Sequence, residues 1–256
     1  MSFIHKNFTQ VLDKYHYNFN AGDIIVGTIF SKERAGYLVD IGNRTAGYLP
    51  KEEISVIHTD KTSSELTLND TREFLILAYN KESPQLVLSI KRLTYMRAWE
   101  RIKQLKDEDI PVKAYVKGIN KGGVLVEIEE IQGFIPNSHL SYNQSKKNLL
   151  YQHIFCKLIV ANEQNNTLIC SIRCAIITRI MRHIKVGSIV NAHVMEITEF
   201  GIFFNVHNIP ALLHRSELKA STINDIANVF KKNTNWTVRI IHLDSRQGRI
   251  SVSLNT

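Results

Sequence analysis

Residues 194–206 read Val194-Met195-Glu196-Ile197-Thr198-Glu199-Phe200-Gly201-Ile202-Phe203-Phe204-Asn205-Val206. A strand of mixed apolar and polar residues runs into Phe200 and Gly201, and a second strand restarts at Ile202. Gly201 permits a sharp bend that a residue bearing a Cβ resists. Alternation then puts Ile202, Phe204 and Val206 on one face of the second strand and Phe203 and Asn205 on the other. A small sheet built this way shows solvent an aromatic ring that core packing does not require.

The pattern recurs. Residues 24–29 lead to 35–41 and then 46–50, residues 112–119 to 122–128 and then 132–136, and residues 189–197 to 200–206 and then 210–214. Two further strand-like runs close each copy: 74–79 with 85–90, 154–160 with 167–172, and 236–243 with 249–254. The aligned glycines Gly36, Gly123 and Gly201 are spaced as small domains are. Five short strands per copy, with the longest connection between the third and fourth, predict an all-β chain of three tandem five-stranded OB-fold barrels. The expected division is an N-terminal helical segment at 1–20, OB-type units at 21–91, 108–173 and 186–256, and basic linkers at 92–107 and 174–185.

The linkers read as short helices. Residues 91–105 carry Leu93, Met96, Trp99 or Ala98, Ile102 and Leu105 as one apolar stripe, with basic residues on the remainder. Trp99 reads as an anchor docked on a barrel rather than a platform for bases. Residues 171–184 are helix-compatible although rich in β-branched residues. Phe8, Val11, Leu12 and Tyr15 predict a further short helix near the N-terminus. Neither linker is Gly/Ser-rich, so the units are expected in a semi-rigid arrangement.

Composition narrows the function classes. The chain has 256 residues, 44% of them hydrophobic, and a net charge of +8, with a pI of about 9.3. A basic balance favours an anionic partner such as nucleic acid. The charge is uneven: acids outnumber bases between Ala21 and Ile90, whereas residues 91–106 and 171–185 are basic. No apolar run approaches membrane-spanning length, and the first residues lack the core of a signal peptide or the Arg/Ser richness of a transit peptide. Cys156, Cys170 and Cys174 form no metal spacing and read as reduced, half-buried thiols. No paired-carboxylate metal site, P-loop or nucleophile motif stands out, so neither a cofactor, a metal, a small-molecule substrate nor a catalytic residue is expected.

The third copy resembles the S-one family of ribosomal-protein RNA-binding domains. The residues that carry the likeness are Phe200-Gly201-Ile202-Phe203-Phe204, Leu212-Leu213-His214-Arg215-Ser216-Glu217-Leu218, Asp244, Arg249 and Ser253-Leu254. The likeness runs from about Ala21 to the end, and the three-unit length resembles the short plastid and cyanobacterial form. It implies a ligand face of Phe200, Phe203, His214, Asp244 and Arg249. Two aromatics on one barrel face can stack on bases, and an arginine can pair with phosphate or stack. The turn from Asp244 to Arg249 is one residue longer than the commonest family spacing, so Arg246 is held as an alternative to Arg249. At the places of Phe200, Phe203 and His214 the first unit has Ala35, Leu38 and Pro50, and the second has Gly122, Leu125 and Pro136. Both units are expected to dock rather than stack on bases; the alternative is that they reach RNA through Tyr37, Lys117 or Lys121.

The resemblance implies a non-enzymatic component of the small ribosomal subunit that binds single-stranded mRNA during translation initiation. Its partners are then the mRNA and the subunit's ribosomal proteins and rRNA, with no membrane. The alternatives are a free RNA chaperone or translational regulator, and an RNA-processing enzyme carrying these domains as appendages. Enrichment in Ile, Asn and Lys fits an AT-rich genome. The expected setting is therefore the plastid stroma, with a bacterial cytoplasm as the alternative.

Overall fold

A computed structural model describes residues 19–42, 46–54, 66–80, 85–142, 145–218 and 226–254. The short helix expected around Phe8 to Tyr15 lies outside these residues. The fold consists of closed five-stranded barrels. The first has β1 (Ile24–Lys32), β2 (Gly36–Asp40), β3 (Gly47–Pro50), β4 (Thr71–Asn80) and β5 (Gln85–Ser89). The second has β6 (Val112–Ile119), β7 (Gly123–Ile128), β8 (Ile131–Pro136), β9 (His153–Asn162) and β10 (Thr167–Ser171). The third has β11 (Ile189–Thr198), β12 (Gly201–Val206), β13 (Ile209–His214), β14 (Asn235–Asp244) and β15 (Arg249–Ser253). In each, the first strand pairs antiparallel with the second and the fourth, and the third and fifth run parallel and close the barrel.

Bulges make such tight closure possible. The register of the first strand shifts between Ile29 and Ser31, between Val116 and Gly118, and between Val194 and Glu196. An extra residue bends a strand and increases its twist, which lets one long strand serve both ends of a small barrel. The glycine shared by the three copies has a second reason to be there. A Cβ on Gly36, Gly123 or Gly201 would stand 2.4, 2.1 or 2.0 Å from the carbonyl oxygen of Leu49, Ile135 or Leu213. The expected bend is specific to Gly201, whose φ of +147° only glycine adopts readily.

Alternation builds the cores. In the third barrel Ile202, Phe204, Val206, Ala211, Leu213, Val238, Ile240, Ile250 and Val252 form one buried cluster with Phe230. Each large side chain removed from water stabilises the fold by about 1.5–3 kcal/mol. Asn205 departs from the expected outward placement. It is 8% exposed, and its Oδ1 accepts the N–H of Asn208, closing the β12–β13 turn. The three thiols are free and fully buried. A hydrogen bond with Cys170, together with burial, pushes the Cys156 thiol well above its ordinary range.

The chain divides into two compact units, with the boundary between Arg97 and Ala98, inside helix α1 (Lys91–Asp107). In the first unit Ser89 Oγ accepts the N–H of Arg92 and donates to Glu53. In the second, Arg101 pairs with Glu129 at 3.0 Å and Lys103 with Glu163 at 2.5 Å. Trp99 and Ala98 are both buried on the predicted stripe. Helix α2 (Ile172–Ile180) follows β10 directly, with Ser171 accepting the Cys174 N–H at its start. Its Ile177 belongs to the core of the third barrel, and Ile176 and Ile180 pack against that core. The second and third barrels thus share α2 as a structural part.

Candidate nucleic-acid interface

The outer face of the third barrel follows from strand register. Glu196 on β11 pairs with Phe203 on β12, Phe203 with Leu212 on β13, Leu212 with Ser251 on β15, and Ser251 with His242 on β14. These residues form one row across five strands. Gly201 pairs with His214 at one end of the face. Phe200 precedes Gly201, is 66% exposed, and accepts the Arg215 N–H through its carbonyl. Phe203 is partly exposed and His214 exposed. The His214 ring is fixed by its own neighbourhood, since Nδ1 accepts the Ser216 N–H at 3.2 Å. That leaves Nε2–H and the ring face for a ligand.

Arg249 marks the other end. It is exposed and immediately precedes Ile250, whose partner is Ala211. Its level on β13 is therefore about four residues from His214, or roughly 13 Å at strand rise. The structure brings Phe200, Phe203 and His214 together and sets Arg249 across the row from them. A groove of this length suits several nucleotides of a single strand.

Asp244 has a role the sequence does not disclose. Its Oδ1 accepts the N–H groups of Arg246 at 2.8 Å and Gln247 at 2.9 Å. The Gln247 N–H above all, then that of Arg246, holds the carboxyl below the usual range; slight burial opposes this, and His242 and Arg249 add smaller attractions. The turn is also propped from behind. The Cys174 thiol donates to the Arg246 carbonyl at 3.3 Å, and a Cβ on Gly248 would meet the Arg173 Cβ and Cys174 Sγ. Helix α2 thus fixes the loop carrying both candidate arginines.

In the second barrel Asn162 takes the place of Asp244, and its Oδ1 accepts the Asn165 N–H. An amide oxygen therefore suffices for this turn, and what Asp244 adds is charge. Asp244→Asn, which keeps the acceptor and loses the charge, is expected to lower the melting temperature of the third barrel slightly at neutral pH, and Asp244→Ala to lower it further. Because the folded carboxyl titrates low, its support of the turn is complete above about pH 4 and lost as pH falls through the depressed value. Thermal melts of both variants at neutral and acid pH check this.

The other barrels differ in an orderly way. Gly36 pairs with Pro50 and Gly123 with Pro136, where Gly201 pairs with His214. The middle pair is Leu38 with Tyr48 in the first barrel and Leu125 with Phe134 in the second, against Phe203 with Leu212 in the third. The aromatic and the leucine have exchanged strands. Tyr48 and Phe134 lie against Gly36 and Gly123, where a Cβ would meet their rings at 2.9 and 2.7 Å. Sequence reasoning missed these rings, although Gly-Tyr-Leu-Pro and Gly-Phe-Ile-Pro displayed them. The alternative in which the first barrel reaches RNA through Tyr37 loses its exposed ring. Tyr37 is 4% exposed, because it follows Gly36 and occupies the inward place that Ile202 has in the third barrel. Lys117 is paired with Glu127, and Lys121 is exposed.

Among the described residues no group of three or more His, Cys, Asp or Glu is placed to hold a metal ion, and no helix is long and apolar enough to cross a membrane. The model of the S1 RNA binding domain matches residues 18–91, 107–173 and 183–255. Small ribosomal subunit protein bS1c of Pyropia yezoensis is 44% identical over 252 residues, spanning 98% of this chain and 96% of that protein. Protein bS1A of Synechocystis sp. is 42% identical over 253 residues, 99% of this chain and 77% of that one. Protein bS1c of Spinacia oleracea is 33% identical over 254 residues, 99% and 62% of the two chains. A chain of three five-stranded barrels, matched along almost its whole length by such relatives, belongs to the bS1 family of RNA-binding, non-enzymatic ribosomal proteins built from S1 domains.

Proposed function

We propose that this chain is an RNA-binding component of the small ribosomal subunit of a plastid, and that its third barrel holds single-stranded messenger RNA during initiation of translation. The observation that carries the reading is the Phe200–Phe203–His214 face, whose counterparts are Ala35–Leu38–Pro50 and Gly122–Leu125–Pro136 in the other barrels. Stacking on Phe200 and Phe203 and charge from Arg246 and Arg249 bind a strand with little sequence code. The setting is supported by the relatives, each named a small ribosomal subunit protein, two of them of the plastid type. Similar proteins in cyanobacteria make a bacterial cytoplasm the alternative setting. The first and second barrels act as docking modules. The acidic first unit is repelled by phosphate and complements a basic ribosomal-protein surface.

Two measurements test this. Affinity for short single-stranded RNA should fall with salt along a log–log slope of about −1.4, two phosphate contacts at roughly −0.7 each. Deleting residues 1–90 should abolish co-sedimentation with small subunits and spare RNA binding. Co-sedimentation that survives the deletion overturns the docking assignment. An intact chain that binds RNA but does not co-sediment is a free RNA chaperone or regulator.

A further inference from the structure

Beside the stacking face lies a cleft of about 360 Å³ lined by Tyr142, Val194, Met195, Glu196, Ile197 and Lys232, a volume in the roughly 300–1,000 Å³ range of small-molecule sites. Three separate segments build it. Met195 is the residue inserted by the β11 bulge, between Val194, which pairs with Phe204, and Glu196, which pairs with Phe203. The segment before β14 is laced to this bulge, with Asn233 N–H donating to the Val194 carbonyl at 2.8 Å and Val194 N–H to the Thr234 carbonyl at 2.9 Å. That places the exposed Lys232 at the rim. The third wall comes from the second barrel. Tyr142 N–H and Ser141 Oγ–H both donate to the Asn208 carbonyl, at 3.2 and 3.3 Å. The Tyr142 side chain, 46% exposed, is thereby held on the third barrel by its backbone.

We infer that this cleft takes the base of a nucleotide next to the one stacked on Phe203, with a guanine edge on the Glu196 carboxylate. The inference rests on the reading of the third barrel as the RNA face. Glu196 and Phe203 are direct cross-strand neighbours, so the two bases belong to consecutive nucleotides of one strand. An ionised carboxylate only accepts hydrogen bonds and repels phosphate, so it faces a base edge rich in N–H donors. Guanine offers two adjacent donors, N1–H and the exocyclic amine, where uracil offers one. Tyr142 supplies a ring and Met195 a thioether for the base to lie against, and Lys232 stands where the phosphate of that nucleotide passes. A chain with little sequence code on its stacking face thus acquires a base preference at one position, and the second barrel contributes a residue to it.

The test uses the full chain and two short single-stranded RNAs, one of uridine alone and one containing guanosines. The unaltered protein should prefer the guanosine probe roughly 5- to 100-fold, as a bidentate base contact provides. Glu196→Gln should reduce that preference to within about twofold while the uridine probe binds as before. Tyr142→Ala should weaken the guanosine probe roughly 5- to 100-fold, and Tyr142→Phe, which keeps the ring, should restore it. Photo-crosslinks from the guanosine probe should map to Tyr142 or Met195. Equal affinity of the unaltered chain for the two probes overturns the inference. So does an unchanged preference in Glu196→Gln and Tyr142→Ala when Phe200→Ala/Phe203→Ala still weakens both probes. If that double variant binds both probes normally, the RNA face itself is misassigned, and the failure lies there instead.

Discussion

Replacing Phe200 and Phe203 together with alanine is expected to weaken binding of single-stranded RNA between about 30-fold and about 10⁴-fold. The range follows from two lost stacks of roughly 1–3 kcal/mol each, with each 1.4 kcal/mol a factor of ten. Phe200 projects beyond the barrel core and Phe203 lies on the outer row beside Leu212, so the melting temperature should hardly move. The salt slope should also stay where it was, because Arg246 and Arg249 remain. Stacking and charge are thereby separated: the rings set the height of the affinity curve and the arginines its slope. Co-sedimentation with small subunits should persist in the double variant. Equal loss of RNA binding and co-sedimentation would sink the division of labour between the third barrel and the first.

The three barrels were legible because each level of the sequence repeats the same statement. Alternation in β12, the glycine that opens it and the spacing of the copies all agree. What escaped depends on register or on distant partners. The bulge at Met195 makes Val194 and Met195 consecutive buried residues, which breaks the period of two and reads from sequence as noise. Tyr37, named only in the alternative reading as an RNA contact, is inside because its place after Gly36 turns it inward. Tyr48 and Phe134 were visible as aromatics, but their relation to Phe203 appears only once β3, β8 and β13 are set against their partners. The contact of Cys174 with the Arg246 carbonyl joins residues far apart in the chain. The same is true of Tyr142 and Asn208. No local pattern could announce either.

The second large effect separates two neighbouring phenylalanines. Phe204→Ala is expected to destabilise the third barrel by about 3–5 kcal/mol, the cost of the lost side chain and the cavity it leaves. Phe204 has no exposed surface and meets Phe230 edge-on at a centroid distance of 6.3 Å. Phe230 lies 4.5 Å from Trp236 in turn, and this aromatic stack belongs to the same buried core. A small domain whose total stability is of order 5–15 kcal/mol should then melt at least about 12 °C lower. Phe203→Ala, one residue earlier, should leave the melt almost unchanged and weaken RNA binding instead. Strand geometry alone demands the contrast, because successive side chains point to opposite faces. Calorimetry of the two single variants, with RNA binding measured well below both melting temperatures, decides it. If Phe203→Ala lowers the melt as far as Phe204→Ala does, Phe203 is a core residue and the stacking face loses its central ring.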